Sequence, residues 1–180
     1  MNTSPTSDVL LKSLRKITAA LQGVGHPPVA IGDLAQSAWG ASRQPRSVQL
    51  MVPSGEAHRD AILSAARGEG IQQEPGAGPL SLKYTDAKSG SSAGIDLLEA
   101  STPFHKQVMG RAQPAEVLQV YMPLASVDDV ILLSIYSDPS VVVELLRANA
   151  GRIDPAYLKK EAEAAGTFNQ LKLAWQEARK

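Results

Sequence analysis

The stretch VAIGDLAQSAWGASRQPRSVQLMV, from Val29 to Val52, leaves the surrounding chain few folds to choose from. Its opening apolar run, Val29-Ala30-Ile31, reads as a short buried strand. Gly32 breaks that run, and Leu34, Ala35, Ala38 and Trp39 then recur at helical spacing. Gly40 stands just past the last of them, where a helix commonly ends in glycine. Beyond Arg43, Pro45 and Arg46, a second apolar run of Val48, Leu50, Met51 and Val52 predicts another strand. The unit is strand, tight turn, short helix, strand, and it points to a mixed α/β domain.

Residues two apart on a strand face the same way, so Ser47 and Gln49 are aimed at one side of the second strand. With that geometry the unit resembles the minimal nucleotidyltransferase-fold family, including the nucleotidyltransferase-like toxins of bacterial toxin–antitoxin pairs. In that family a Gly-Gly or Gly-Ser pair opens the helix and holds nucleotide phosphates. A Gly-x-x-Arg-x-Thr segment then leads into a strand carrying Asp-x-Asp. Gly32 matches the first glycine, and Gly40 and Arg43 match the middle segment. Asp33 replaces the second small residue, Pro45 stands for the threonine, and Ser47 and Gln49 occupy the two aspartate positions. The resemblance therefore implies a degenerate member, with Gly32, Asp33 and Arg43 left as a weak phosphate-binding remnant.

The loss has a chemical meaning. Nucleotidyl transfer uses Mg²⁺ to gather phosphates and neutralise developing charge, and Mg²⁺ takes carboxylate oxygens and water in a near-octahedral shell. A serine hydroxyl and a glutamine carbonyl are neutral and replace carboxylates poorly. The family places a third aspartate on a neighbouring strand, and Asp96, within Ile95-Asp96-Leu97-Leu98, matches it. The residues by themselves read equally as a partly exposed aspartate or one paired with an arginine such as Arg43. A lysine that relatives carry has no counterpart at Leu132-Leu133-Ser134.

The rest of the chain supplies the frame. Ser7 or Asp8 caps a first helix with Val9, Leu10, Leu14, Ile17 and Leu21 on one side and Lys12, Arg15 and Lys16 on the other. Ala57, Ala61, Ile62, Ala65 and Ala66 mark a second helix that Gly68 and Gly70 stop. Pro75 to Pro79 is a turn, and Leu80 to Tyr84 and Ala93 to Leu98 are strands around a polar hairpin loop, TDAKSGSS. A helix over Thr102 to Met109 and a strand over Val117 to Met122 follow. Ser126-Val-Asp-Asp129 resembles a capping box opening a helix to Tyr136. Asp138-Pro139 and Asp154-Pro155 each pair an N-cap with proline at the first helical position, opening helices to Ala148 and Ala165. A last helix runs from Phe168 to Arg179. One domain results: an N-terminal helix over 1–28, a nucleotidyltransferase-like mixed sheet flanked by helices over 29–125, and C-terminal helices over 126–180.

Composition excludes several chemistries. The chain lacks cysteine, which removes disulfides, thiolate metal sites and cysteine nucleophiles. Eighteen basic residues balance eighteen acidic ones, so no global charge drives it toward nucleic acid or an anionic membrane. Without an apolar leader or a run of membrane-spanning length, it reads as soluble and cytoplasmic. His26, His58 and His105 lack metal-ligand spacing and read as surface or core histidines. Arg43 and Arg46 beside a turn read as surface charges, with phosphate binding as the alternative. No Gly-x-Ser-x-Gly elbow or dinucleotide glycine pattern occurs.

The expectation is a non-catalytic binding or regulatory protein, a pseudoenzyme, without metal or other cofactor. Its partner is expected to be a protein, with a nucleotide or nucleic acid as the other choices and no membrane. The rival expectation is an active nucleotidyltransferase whose acidic site has moved to Asp33, Asp96 and Glu99 and holds Mg²⁺.

Overall fold

A computed structural model describes residues 7–78 and 80–180. The expected proline turn at 75–79 is covered except for residue 79, which lies outside the described residues. Seven strands form one mixed sheet in the order β3-β4-β5-β2-β1-β7-β6. In chain order the first elements are α1 (Ser7–Gly23), β1 (Val29–Ala30), α2 (Gly32–Ala38), β2 (Val48–Val52), α3 (Glu56–Gly68) and β3 (Ile71–Gln73). Next come β4 (Ser81–Thr85), β5 (Ser92–Glu99), α4 (Pro103–Arg111), β6 (Gln113–Val117) and β7 (Val120–Leu124). Four helices close the chain: α5 (Val127–Ser134), α6 (Pro139–Ala148), α7 (Pro155–Ala164) and α8 (Phe168–Ala178).

The strand–helix–strand unit forms as its apolar spacing dictates, and β1 and β2 pair antiparallel with Ala30 opposite Leu50. β2 then runs parallel to β5, placing Gln49 opposite Asp96 and Leu50 opposite Leu97. Alternation sorts the two faces: Val48, Leu50, Ile95 and Leu97 are buried, whereas Asp96 is exposed on the other face. α1 packs on α3 and against β2, β5 and β7. It contributes Val9, Leu10, Leu14, Ile17 and Leu21, all buried as their spacing requires. Each such side chain stabilises by about 1.5–3 kcal/mol. Lys12 and Lys16, on the outer side of α1, are engaged by Asp8, Asp86 and Glu69. The hairpin loop after β4 is pinned by Asp86, which accepts from both the backbone and hydroxyl of Ser89.

The strand expected over Val117 to Met122 is corrected. Leu118 and Gln119 are the turn of a hairpin, with φ of 46° and 62°, and strands lie on both sides. A two-residue turn with positive φ at both positions suits the twist of the flanking strands, but it usually advertises itself with Asn-Gly. Here it carries two residues that favour neither. β3 was not expected, because a three-residue edge strand with Ile71 as its one buried side chain gives almost no alternation to read. Ala38, placed on the apolar side of its helix, is exposed, since α2 ends there. Helix α5 stops at Ser134, short of Tyr136.

The C-terminal caps form at the expected residues. Asp138 accepts from Val141 N–H at 3.3 Å, and Asp154 from Ala156 and Tyr157 N–H at 3.0 and 3.1 Å. Ser126 accepts from Asp129 N–H at 3.2 Å. The return arm of a capping box is replaced by Ser126 Oγ donating to Asp129 Oδ2 at 2.7 Å. α5 packs on α2, α6 and α7 pack on α5, and α8 packs on α6 and α7, so the helical third is joined to the sheet through the helix that Gly32 opens. Among the described residues, no helix is long and apolar enough to cross a membrane.

Candidate functional site

The first turn of α2, the facing positions of β2 and β5, and the end of α5 enclose a cleft of about 470 Å³. Gly32, Asp33, Arg43, Arg46, Gln49 and Asp96 line it. Ser47 is not among the lining residues; it precedes β2 and is half-buried near Gly94. The sequence thus brings five of its six candidate positions, together with Arg46, to one cavity. Gln36, Ser134, Ser137 and Asp138 also line the cleft and were not singled out for it.

Gln49 has a defined task in this geometry. The first amides of a helix lack intrahelical acceptors, and Ile31, at the N-cap of α2, offers no side-chain oxygen. Gln49 reaches across from β2, and its Oε1 accepts the Asp33 N–H at 3.0 Å. Gly32, with φ of 55°, makes room: a Cβ there would lie 1.6 Å from Gln49 Oε1. The glycine is therefore required twice, for its backbone and for its missing side chain.

The charges of the cleft are largely sorted into pairs. Asp33, buried, receives Arg46 Nε at 3.2 Å. Arg43 pairs with Asp138, so of the two readings of Asp96 the exposed carboxylate holds and the pairing with Arg43 does not. The hydrogen bond from Ser140 holds the Asp138 carboxyl below the usual carboxylate range, with Val141 N–H and Arg43 acting the same way. Glu144 anchors the turn that presents Arg43 by accepting from the Ser42 amide and hydroxyl, both at 2.8 Å. Asp96 has no ion pair among the described residues. Glu99 turns to Arg59, 2.6 Å away, and does not line the cleft with Asp33 and Asp96. Among the described residues no three His, Cys, Asp or Glu side chains cluster as a metal site.

At the back wall, Gln36 Nε2 donates to Ser134 Oγ at 3.0 Å, and Ser134 Oγ donates to Val130 C=O at 2.7 Å. Gln36 Oε1 is buried without a partner among the described residues. Its sequence signal was legible: a long polar side chain directly after Leu34-Ala35 on the buried side of a short helix. Ser134 stands in the segment where the resembled family carries its lysine.

Comparison with solved structures decides the architecture. The nucleotidyltransferase-like antigenic protein of Paracoccidioides brasiliensis superposes with a TM-score of 0.64 at 11% identity, covering 96% of this chain and 95% of that one. This fold is nucleotidyltransferase-like. The antibiotic-resistance factor ANT(2'')-Ia shares the nucleotidyltransferase-like architecture with a TM-score of 0.53 at 13% identity, covering 97% of this chain and 93% of its own. No family model and no curated protein sequence matches the chain. Within this fold, β2 and β5 carry Gln49 and Asp96 side by side on the face that lines the cleft. The histidines fall elsewhere: His26 Nε2 and His58 Nδ1 lie 3.0 Å apart, a pairing that their separation in sequence conceals.

Proposed function

We propose that this nucleotidyltransferase-fold chain has given up metal-dependent transfer and works in the cytoplasm as a non-catalytic binding or regulatory protein with a protein partner. An assembly of the toxin–antitoxin kind belongs to the same proposal. The observation that supports it is the engagement of Gln49. At the strand position where transfer chemistry calls for a carboxylate, an amide oxygen is already committed to the Asp33 N–H at 3.0 Å. Asp33 is paired with Arg46 and Asp138 with Arg43, leaving Asp96, among the described residues, as the unpaired carboxylate of a cleft that both arginines also line. A lone carboxylate near fixed cations gathers Mg²⁺ poorly.

The test is incubation of the wild-type chain with labelled nucleoside triphosphates, a panel of proteins and RNAs, and Mg²⁺ or Mn²⁺. The expected result is no label transfer, and no metal-specific rise in melting temperature. Transfer that disappears in Asp33→Ala or Asp96→Ala would establish a relocated acidic site and overturn the reading.

A further inference from the structure

A second concavity, about 780 Å³, lies among α6, α7 and α8 and shares no lining residue with the cleft. We propose that it is a docking groove for an acidic amphipathic helical segment of a partner protein. The groove goes beyond the cleft reading and does not depend on it.

The groove is built along one stripe of α8. Phe168, Lys172, Trp175 and Arg179 follow at intervals of four, three and four, which sets them on one side of a helix. Leu171 and Ala174 occupy the buried side. Aromatic and cation therefore alternate along about 16 Å of helix. Leu146 and Ile153 add apolar floor. Arg147 and Lys159 bring two more cations to the lining, and among the described residues no carboxylate lines the groove.

Two of these four cations are engaged by the fold and two are not. Lys172 and Arg179 make no ion pair among the described residues. Lys159 sits 5.9 Å over the Phe168 ring and 3.8 Å from Glu163. Arg147 donates to the Ala178 and Glu177 carbonyls, so its charge marks the end of α8. The Trp175 indole N–H has no partner among the described residues and is free to bond a ligand.

Charge complementarity calls for an anionic occupant, and the half-buried aromatics call for one with apolar side chains. A helix that sets acidic residues beside leucine or phenylalanine at its own i, i+3, i+4 spacing supplies both. A single-stranded nucleic acid would also meet cations and rings, but a polyanion needs an extended positive field. This chain has zero net charge, and Glu163 and Glu177 flank the groove. The favourable field is local, as a short peptide requires.

The test uses a labelled synthetic peptide about four helical turns long, with glutamate on one face and leucine and phenylalanine on the other. Controls are the same peptide with lysine for glutamate, a reordered peptide of identical composition without amphipathic spacing, and a labelled oligothymidylate. Anisotropy titrations of the full chain should give saturable binding of the acidic amphipathic peptide, weakening as salt rises. Lys172→Glu with Arg179→Glu should weaken it by about tenfold or more. Lys83→Glu and Lys88→Glu, on the distant β4 hairpin, should leave it unchanged. The chain has two tryptophans, and Trp39 Nε1 is tied to Ala125 C=O at 2.9 Å. The peptide should therefore shift the Trp175 indole N–H resonance and leave that of Trp39 in place, with Trp175→Phe identifying the peak. Thermal melts confirm that the exposed charge variants remain folded. Equal binding of the reordered or basic peptide, unchanged affinity in the charge-reversed variant, an unmoved Trp175 resonance, or tighter binding of the oligothymidylate would each overturn the proposal.

Discussion

Replacing Gly32 with alanine tests the construction of the cleft at its tightest point. The backbone there has φ of 55°, a region that costs an L-residue about 1–2 kcal/mol. The new Cβ would lie 1.6 Å from Gln49 Oε1, so the glutamine side chain must swing away. That movement gives up the 3.0 Å bond to the Asp33 N–H, worth about 0.5–1.5 kcal/mol. Gly32→Ala should therefore destabilise by roughly 1.5–3.5 kcal/mol, or about 3–14 °C in melting temperature for a domain of this size. The mechanism has a sharper signature than its total. In a Gln49→Ala background the bond and the 1.6 Å overlap are both absent and only the Cβ of residue 49, 3.0 Å from the new methyl, stays close, so Gly32→Ala should cost little more than the backbone term of about 1–2 kcal/mol. Urea unfolding of the four proteins of the cycle measures the coupling. A Gly32→Ala cost within about 0.5 kcal/mol of zero, or strict additivity with Gln49→Ala, would refute the account of Gln49 as the cap of α2.

Gln119→Gly should stabilise by about 0.5–1 kcal/mol, because its φ of 62° suits glycine and the gain is partly offset by unfolded-chain entropy; equilibrium denaturation checks the sign. Tyr157 donates to the fully buried Asp129 at 2.6 Å, while Arg111 stacks on the ring and bonds the same carboxylate at 3.2 Å; Tyr157→Phe should cost about 1.5–3 kcal/mol in the same assay. Asp138 has a folded pKa below its unfolded value, so its contribution is present above the unfolded carboxylate pKa of about 3.9 and is lost as pH falls through the lower folded one. Asp138→Asn retains a capping oxygen but cannot titrate, so melting temperature recorded between about pH 5 and pH 3 should fall less steeply than in the wild type.

What the sequence disclosed depended on whether its signal was local. Asp138-Pro139 and Asp154-Pro155 carry cap and first helical residue in adjacent positions, and both helices begin there. The α1 periodicity is long enough to identify every buried aliphatic on it. The β6–β7 hairpin hid because its turn lacks glycine and because Pro114 and Pro123, opposite each other in the ladder, read as breakers. The cleft was half legible. Gly32, Asp33 and Gln49 are linked by strand and turn geometry that spacing reveals, whereas Arg43 chose Asp138 across 95 positions of sequence. The Arg111–Asp129–Tyr157 cluster escaped for a related reason. Two aspartates in the first turn of a helix suggest solvent and dipole, yet tertiary packing buries both, and burial raises the Asp128 carboxyl.

β1 has two residues, and the register joining it to β7 is the single pair Ala30 and Leu124. The sheet is thus two ribbons stitched at a narrow seam: a five-strand side ending at β1, and the β6–β7 hairpin beyond it. Few main-chain bonds cross that seam, with Ala125 N–H to Ala30 C=O at 3.1 Å among them. Opening it breaks far less than unfolding the β2–β5 centre, so the hairpin amides belong to a smaller cooperative unit with a lower opening free energy. The Ala30 side of the seam leads directly into Gly32. Opening of the seam is therefore expected to disturb the turn that shapes the cleft, which follows Ala30 directly in the chain.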